Sequence, residues 1–154
     1  MATKIGVLSD THGLLREEAV GRLLGCDLIL HAGDIGSPSI LTELRTLAEV
    51  VAVRGNVDTG SWANELSREE YVDVAGRRIC LVHDLSTLSL YPVSAGIDIV
   101  IHGHSHKPAV EWKGGILYLN PGSAGPKRFH LPVSMAILSL EDEVIVPEII
   151  ELPP

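Results

Sequence analysis

At 154 residues the chain is expected to form one domain, residues 1–154, because a chain of this size buries about 70% of its unfolded surface around a single core. Its residues are 45% apolar but only 4% aromatic, so Val, Ile, Leu and Ala must fill that core, and no apolar stretch approaches the roughly 20 residues of a membrane span. A net charge of -8 argues against the clustered Lys and Arg that neutralise a long nucleic acid, which leaves small molecules as the expected partners.

From Met1 the sequence passes straight into strand-like residues without the apolar core of a secretory signal, so the expected location is the cytoplasm. Residues 4–9 (KIGVLS) read as a buried strand. Leu15, Ala19 and Leu23 then recur at fourfold spacing among Arg16, Glu17, Glu18 and Arg22, as on an amphipathic helix. A second apolar strand covers residues 27–32. Ser37 and Pro38 suit a helix start, and Ile40, Leu41, Leu44, Leu47 and Ala48 mark its buried face. Residues 50–53 form a third strand. This β-α-β-α-β order implies a parallel sheet with right-handed crossovers.

The remainder reads mostly as hairpins: residues 70–74 with 77–82 around Ala75-Gly76, 109–112 with 116–119 around Gly114-Gly115, and 133–140 with 144–150 around Glu141-Asp142. Residues 97–101 make a further apolar strand. A helix over Ser86 to Ala95 is weighed against Pro92, which would break or kink it. Cys26 and Cys80 sit in apolar stretches outside any Cys-x-x-Cys pair and are expected to be buried thiols. Parallel βα units followed by antiparallel strands imply an α/β fold of two mixed sheets packed face to face, with helices outside.

Metal-ligating side chains follow these strands in short clusters: Asp10-Thr11-His12, Gly33-Asp34, Gly55-Asn56, His83 and His104-Ser105-His106. Ligands at the carboxyl ends of parallel strands share one edge of a sheet. Two carboxylates meeting there repel each other and raise each other's pKa, so Asp10 and Asp34 call for cations between them. Imidazole, carboxylate and amide without thiolate suit Mn, Fe, Co, Ni or Zn. A pair of such ions can share a carboxylate and a hydroxide and stabilise charge on phosphoryl oxygens, which describes in-line hydrolysis.

This motif series resembles that of the calcineurin-like metallophosphoesterases, and Asn120-Pro121-Gly122-Ser123 is similar to a further motif of their small single-domain phosphodiesterase branch. The resemblance implies a four-layer α/β/β/α sandwich and a metal-dependent phosphodiesterase that acts on small phosphoesters. It also implies two divalent ions, manganese favoured with Fe, Ni, Co or Zn open. Asp10, His12, Asp34 and His106 would hold one ion, and Asp34, Asn56, His83 and His104 the other, with Asp34 bridging. His12, Asp34 and Asn56 are the expected catalytic group.

Arg54, beside Gly55-Asn56, either binds a phosphate oxygen or points outward. His31 is read either as a donor that orients Asp34 or as a core or surface histidine; His102 is read as packed, His130 as solvated, and the Lys127-Arg128 pair as a solvated pair in preference to a substrate clamp. Trp62 and Trp112 either border the pocket or pack in core or lid. Two positions depart from the family pattern. Val57 stands where several relatives carry a histidine that serves the leaving group, which favours diesters with good leaving groups, and Asp84 stands where Gly is common. The competing reading is a non-catalytic scaffold of the same fold, as in the related retromer subunit; the complete ligand set favours the hydrolase. A homo-oligomer is compatible with the sequence.

Overall fold

Residues 2–89 and 91–154 are described by the computed structural model. The opening apolar run becomes β1 (Thr3–Leu8), which buries Ile5, Val7 and Leu8 completely, as a strand covered on both faces must. Helix α1 (Glu17–Leu23) leads back to β2 (Leu28–His31), and α2 (Pro38–Arg45) leads to β3 (Glu49–Ala52), with β1, β2 and β3 paired in parallel. α2 starts where the caps predict: the Ser37 hydroxyl accepts the Ser39 amide at 3.3 Å and Pro38 occupies the first turn. α1 has Glu17 and Glu18 in its first turn and Arg22 in its last, each at the end where the helix dipole favours it.

Next in chain order come β4 (Glu69–Val74), β5 (Arg77–Val82), β6 (Ile99–Ile101), β7 (Ala109–Lys113), β8 (Ile116–Asn120), β9 (Val133–Glu141) and β10 (Val144–Leu152). The three expected hairpins all form, with ends that match the expected ones or differ by at most two residues. One five-stranded sheet has the order β10-β9-β1-β2-β3 and the other β4-β5-β6-β8-β7. β5, β6 and β8 run parallel to one another.

Between the sheets, Ile5, Val7, Leu28 and Leu30 meet Ile79, Leu81, Ile99, Ile101, Leu117 and Leu119, all buried. Both helices pack on the outer face of the first sheet, where Ala19, Leu23, Ile40, Leu41 and Leu44 cover Leu8, Ile29, Met135 and Ile137. The outer face of the second sheet is covered differently. The helix considered over Ser86 to Ala95 does not form; a 3-10 turn (Leu85–Thr87) and further turns replace it, with Leu90 outside the described residues. Pro92 has no amide to give a helix, and its carbonyl accepts the Ile97 amide at 3.0 Å instead. Leu85, Leu88, Ala95 and Ile97 still close over Cys80, Val82, Val100 and Ile116, so this outer layer of the sandwich is irregular chain. Cys26 and Cys80 are free and buried as expected, and burial pushes the Cys80 thiol up to about 11.

Candidate metal centre

Three parallel strands of each sheet deliver the candidate ligands. β1, β2 and β3 run into Asp10, Asp34 and Asn56, while β5, β6 and β8 run into His83, His104 with His106, and the Asn120–Ser123 turn. The two sets interlock. A Cβ on Gly55 would strike the amide and carboxylate of Asp34, and one on Gly103 would strike the Ser9 hydroxyl, so only glycine lets these loops approach. Asp10, His12, Asp34, His104 and His106 all have positive φ, five of the eight non-glycine residues that do so among those described. A left-handed backbone costs an ordinary residue about 1–2 kcal/mol, so the surrounding contacts must hold these loops in place.

Of the six expected ligands that carry a carboxylate or an imidazole, five meet. His83 Nε2 lies 3.2 Å from Asp34 Oδ2 and 4.0 Å from Asp10 Oδ1. His106 Nε2 lies 3.4 Å from Asp10 Oδ1, and His12 Nε2 lies 3.8 Å from Asp10 Oδ1 and 3.7 Å from Asp34 Oδ2. The ligand atoms form two groups, Asp10 with His12 and His106, and Asp10 with Asp34 and His83, in which all lie within 4.8 Å of one another. His104 belongs to neither; its ring stands edge-on to that of His83 at 5.2 Å and its side chain is 47% exposed. Asn56 is exposed, at the mouth of a cavity of about 60 Å³ lined by Arg54, Arg68, His83, Asp84 and Thr87.

Each carboxylate is divided between two tasks. Asp10 Oδ2 accepts the Ser9 hydroxyl at 2.7 Å and the His104 amide at 3.2 Å, while Asp34 Oδ1 accepts the Val57 amide at 3.0 Å. The other oxygens, Asp10 Oδ1 and Asp34 Oδ2, face the imidazoles. Asp10 Oδ1, His12 Nε2 and His83 Nε2 are buried without a hydrogen-bond partner among the described residues. His83 Nδ1 is 2.7 Å from the Ala32 carbonyl; donating there leaves the Nε2 lone pair aimed at the carboxylates. Buried oxygens and nitrogens that converge without protons to share fit divalent cations.

Electrostatics follow from the same geometry. Burial, with the neighbouring Asp34 charge, raises Asp10 above the usual carboxylate range despite its hydrogen bond from Ser9. Burial would raise Asp34 too, but the close approach of His83 and the Val57 amide outweigh it and hold that carboxyl low. His83 is raised, because Asp34 and Asp10 overcome the burial that would lower it. Burial lowers His12 and His106, and the positive charge of Arg128 lowers both further. Arg128 is thus close enough to act on the site, although its sequence context reads as one of a solvated pair.

Asp58 carried no signal in the sequence, where a lone Asp after Gly-Asn is ordinary turn chemistry. It is fully buried and accepts the amides of Ile35 (3.2 Å), Gly36 (2.9 Å) and Gly55 (2.9 Å), tying the Asp34 loop to the Asn56 loop. His31 does not reach Asp34. Its Nε2 is 3.0 Å from the Thr11 hydroxyl and its Nδ1 accepts the Gly33 amide at 3.1 Å, so it braces the backbone on which Asp34 sits. Asn120 is a brace of the same kind, donating to the Gly103 carbonyl at 3.2 Å and the Ser105 hydroxyl at 3.1 Å, and Ser123 donates to the Asp10 carbonyl at 2.9 Å. Asp84 caps the 3-10 turn by accepting the Ser86 amide at 3.0 Å and stands 3.8 Å from His104. Arg54 donates to the Asp58 carbonyl at 2.9 Å, which holds it beside Asn56. His102 is half-buried, His130 is exposed, Trp62 packs with the helical cluster, and Trp112 is exposed on β7.

A family model described as the calcineurin-like phosphoesterase superfamily domain matches residues 3–143. A probable metallophosphoesterase of Methanothermobacter thermautotrophicus is 36% identical, covering 95% of this chain and 91% of its own. A phosphodiesterase of Methanocaldococcus jannaschii is 27% identical, over 77% of this chain and 82% of its own. The crystal structure of Vps29 from Entamoeba histolytica in complex with zinc matches with a TM-score of 0.73 at 26% identity, covering 96% of this chain and 98% of that one. With the match spanning every candidate ligand, the chain belongs to the calcineurin-like phosphoesterase superfamily.

Proposed function

We propose that residues 1–154 form a single-domain, metal-dependent phosphodiesterase that hydrolyses small phosphodiesters. The observation that carries this reading is the division of the two carboxylates: one oxygen of each is tied to the protein, and the other faces imidazole nitrogens in a buried cluster. Asp10, His12, Asp34 and His106 would hold one divalent ion and Asp34, Asn56, His83 and His104 the other, with manganese favoured over Fe, Ni, Co or Zn. When bound, such ions acidify water toward neutral pH and neutralise charge developing on phosphoryl oxygens.

The protein's own groups supply the rest. Arg54, which lines one small cavity with Asn56 and His83, would orient a phosphate, and the charge of Arg128, which lowers His12 and His106, would favour an anion there. Val57 gives Asp34 an amide but has no acidic side chain for a leaving group, which favours diesters with good leaving groups. The named phosphodiesterase among the relatives points the same way. Among the described residues no helix is long and apolar enough to cross a membrane, and we place the activity in the cytoplasm. A non-catalytic scaffold is the second reading, favoured only by the fold shared with Vps29.

The test is hydrolysis of a panel of phosphodiesters, cyclic nucleotides and phosphomonoesters after chelation and re-addition of Mn, Ni, Zn or Mg. Turnover of an activated diester should disappear on chelation and return at least a hundredfold with manganese. Absence of turnover with every ion would favour the scaffold.

A further inference from the structure

The two sheets end in four edge strands, and three of them are protected against pairing with another chain. In the β9–β10 hairpin, Glu141 and Val144 flank a two-residue turn and so bond to each other, which leaves the backbone of Ile145, Pro147 and Ile149 facing outward. Pro147 has no N–H to offer there, and the exposed charges of β10, Glu148 and Glu151, are both acidic. β4 presents Glu69, Glu70 and Asp73, and Glu69 is already engaged by the Ser89 amide and hydroxyl at 3.1 and 2.8 Å. β3 is four residues long, and Val50 and Ala52 pack in one cluster with Trp62 and Leu66 from the segment that follows. Acidic repulsion, proline and cover are common means by which an edge is kept single.

β7 contains no proline, and its two charges, Glu111 and Lys113, are of opposite sign. Gly114 and Gly115 (φ 57° and 80°) make a two-residue turn, so Lys113 and Ile116 bond to each other, and Val110 and Trp112 turn their N–H and C=O groups away from β8. Their side chains are 41% and 53% exposed. The charges of β7 also alternate in sign: Glu111 and Lys113 share one face, 3.1 Å apart.

We infer that β7 is a self-pairing edge whose partner is β7 of a second copy of this chain, antiparallel and centred on Trp112. A two-fold axis at Trp112 sets the two tryptophans opposite each other and places each Glu111 against the Lys113 of the other copy, so both charge pairs are satisfied. Neighbouring registers are worse. Centring on Glu111 opposes two glutamates, while centring on Val110 opposes Lys113 to Lys107 and puts Pro108 across from the outward amide of Trp112. The inference does not depend on the proposed hydrolysis.

Sedimentation velocity on metal-loaded protein, from micromolar to hundred-micromolar concentration, tests it. Wild type should dimerise, Glu111→Lys and Lys113→Glu should each weaken the dimer at least tenfold, and the double exchange Glu111→Lys with Lys113→Glu should restore it. Circular dichroism melts of all four proteins confirm that each is folded. A wild type that stays monomeric throughout, a dimer indifferent to the single exchanges, or a double exchange that fails to restore dimerisation would each overturn the inference.

Discussion

Three amides in the floor of the candidate site, those of Ile35, Gly36 and Gly55, share one acceptor, the buried carboxylate of Asp58. An unpaired buried donor costs about 1–3 kcal/mol, so Asp58→Ala should lower stability by about 3 kcal/mol or more, and denaturant unfolding will show it. An unchanged midpoint would mean that water replaces the carboxylate. His31 carries a pH dependence of definite sign. Burial holds it at about 4, against 6.5 for free imidazole, so between these values the unfolded chain binds a proton that the folded chain refuses. Its contribution is whole above pH 6.5 and is lost as pH falls toward 4, a loss of about 3 kcal/mol. Metal-free wild type should therefore lose melting temperature more steeply over that window than His31→Gln; parallel curves would contradict the assignment.

Turns offer the clearest prediction for the secondary-structure elements. Ala75 occupies a left-handed position (φ 51°) before Gly76 in the β4–β5 hairpin, where Asn is favoured and Ala is strained. Ala75→Asn should stabilise the chain by about 1 kcal/mol, or roughly 2–4 °C in a thermal melt. An unchanged or lower melting temperature would show that the turn carries no strain. The buried strands were legible as short apolar runs and the hairpin strands by the turn residues between their arms, and the helices because their apolar residues recur at three and four. The segment after Asp84 was not, since Leu85, Leu88, Ala95 and Ile97 need only reach the sheet to cover it, and irregular chain does so as well as a helix. Side-chain periodicity reports burial, and burial is not unique to one backbone shape.

For the molecule as a whole, placement of the ligands was legible because parallel strands put their carboxyl ends together, and six of them do so here. Which ligand atoms stay free was not. Spacing says nothing of Ser9 and Val57 taking one oxygen from each carboxylate, nor of Asp58 joining the Asp34 and Asn56 loops. These depend on contacts between residues far apart in the chain. His104 fits the family's motif series, yet it stands half-exposed outside the cluster of five, and Asn56 is exposed in the small cavity that His83 also lines.

The proposed ion pair rests on all seven ligands acting together, and metal content measures that directly. Protein stripped with chelator, reloaded with manganese and freed of excess ion should retain two ions per chain by elemental mass spectrometry. Asp34→Asn, with its melting curve near that of wild type, should retain fewer than one. One ion or none in the wild type, or undiminished loading in Asp34→Asn, would contradict a two-metal centre bridged by Asp34.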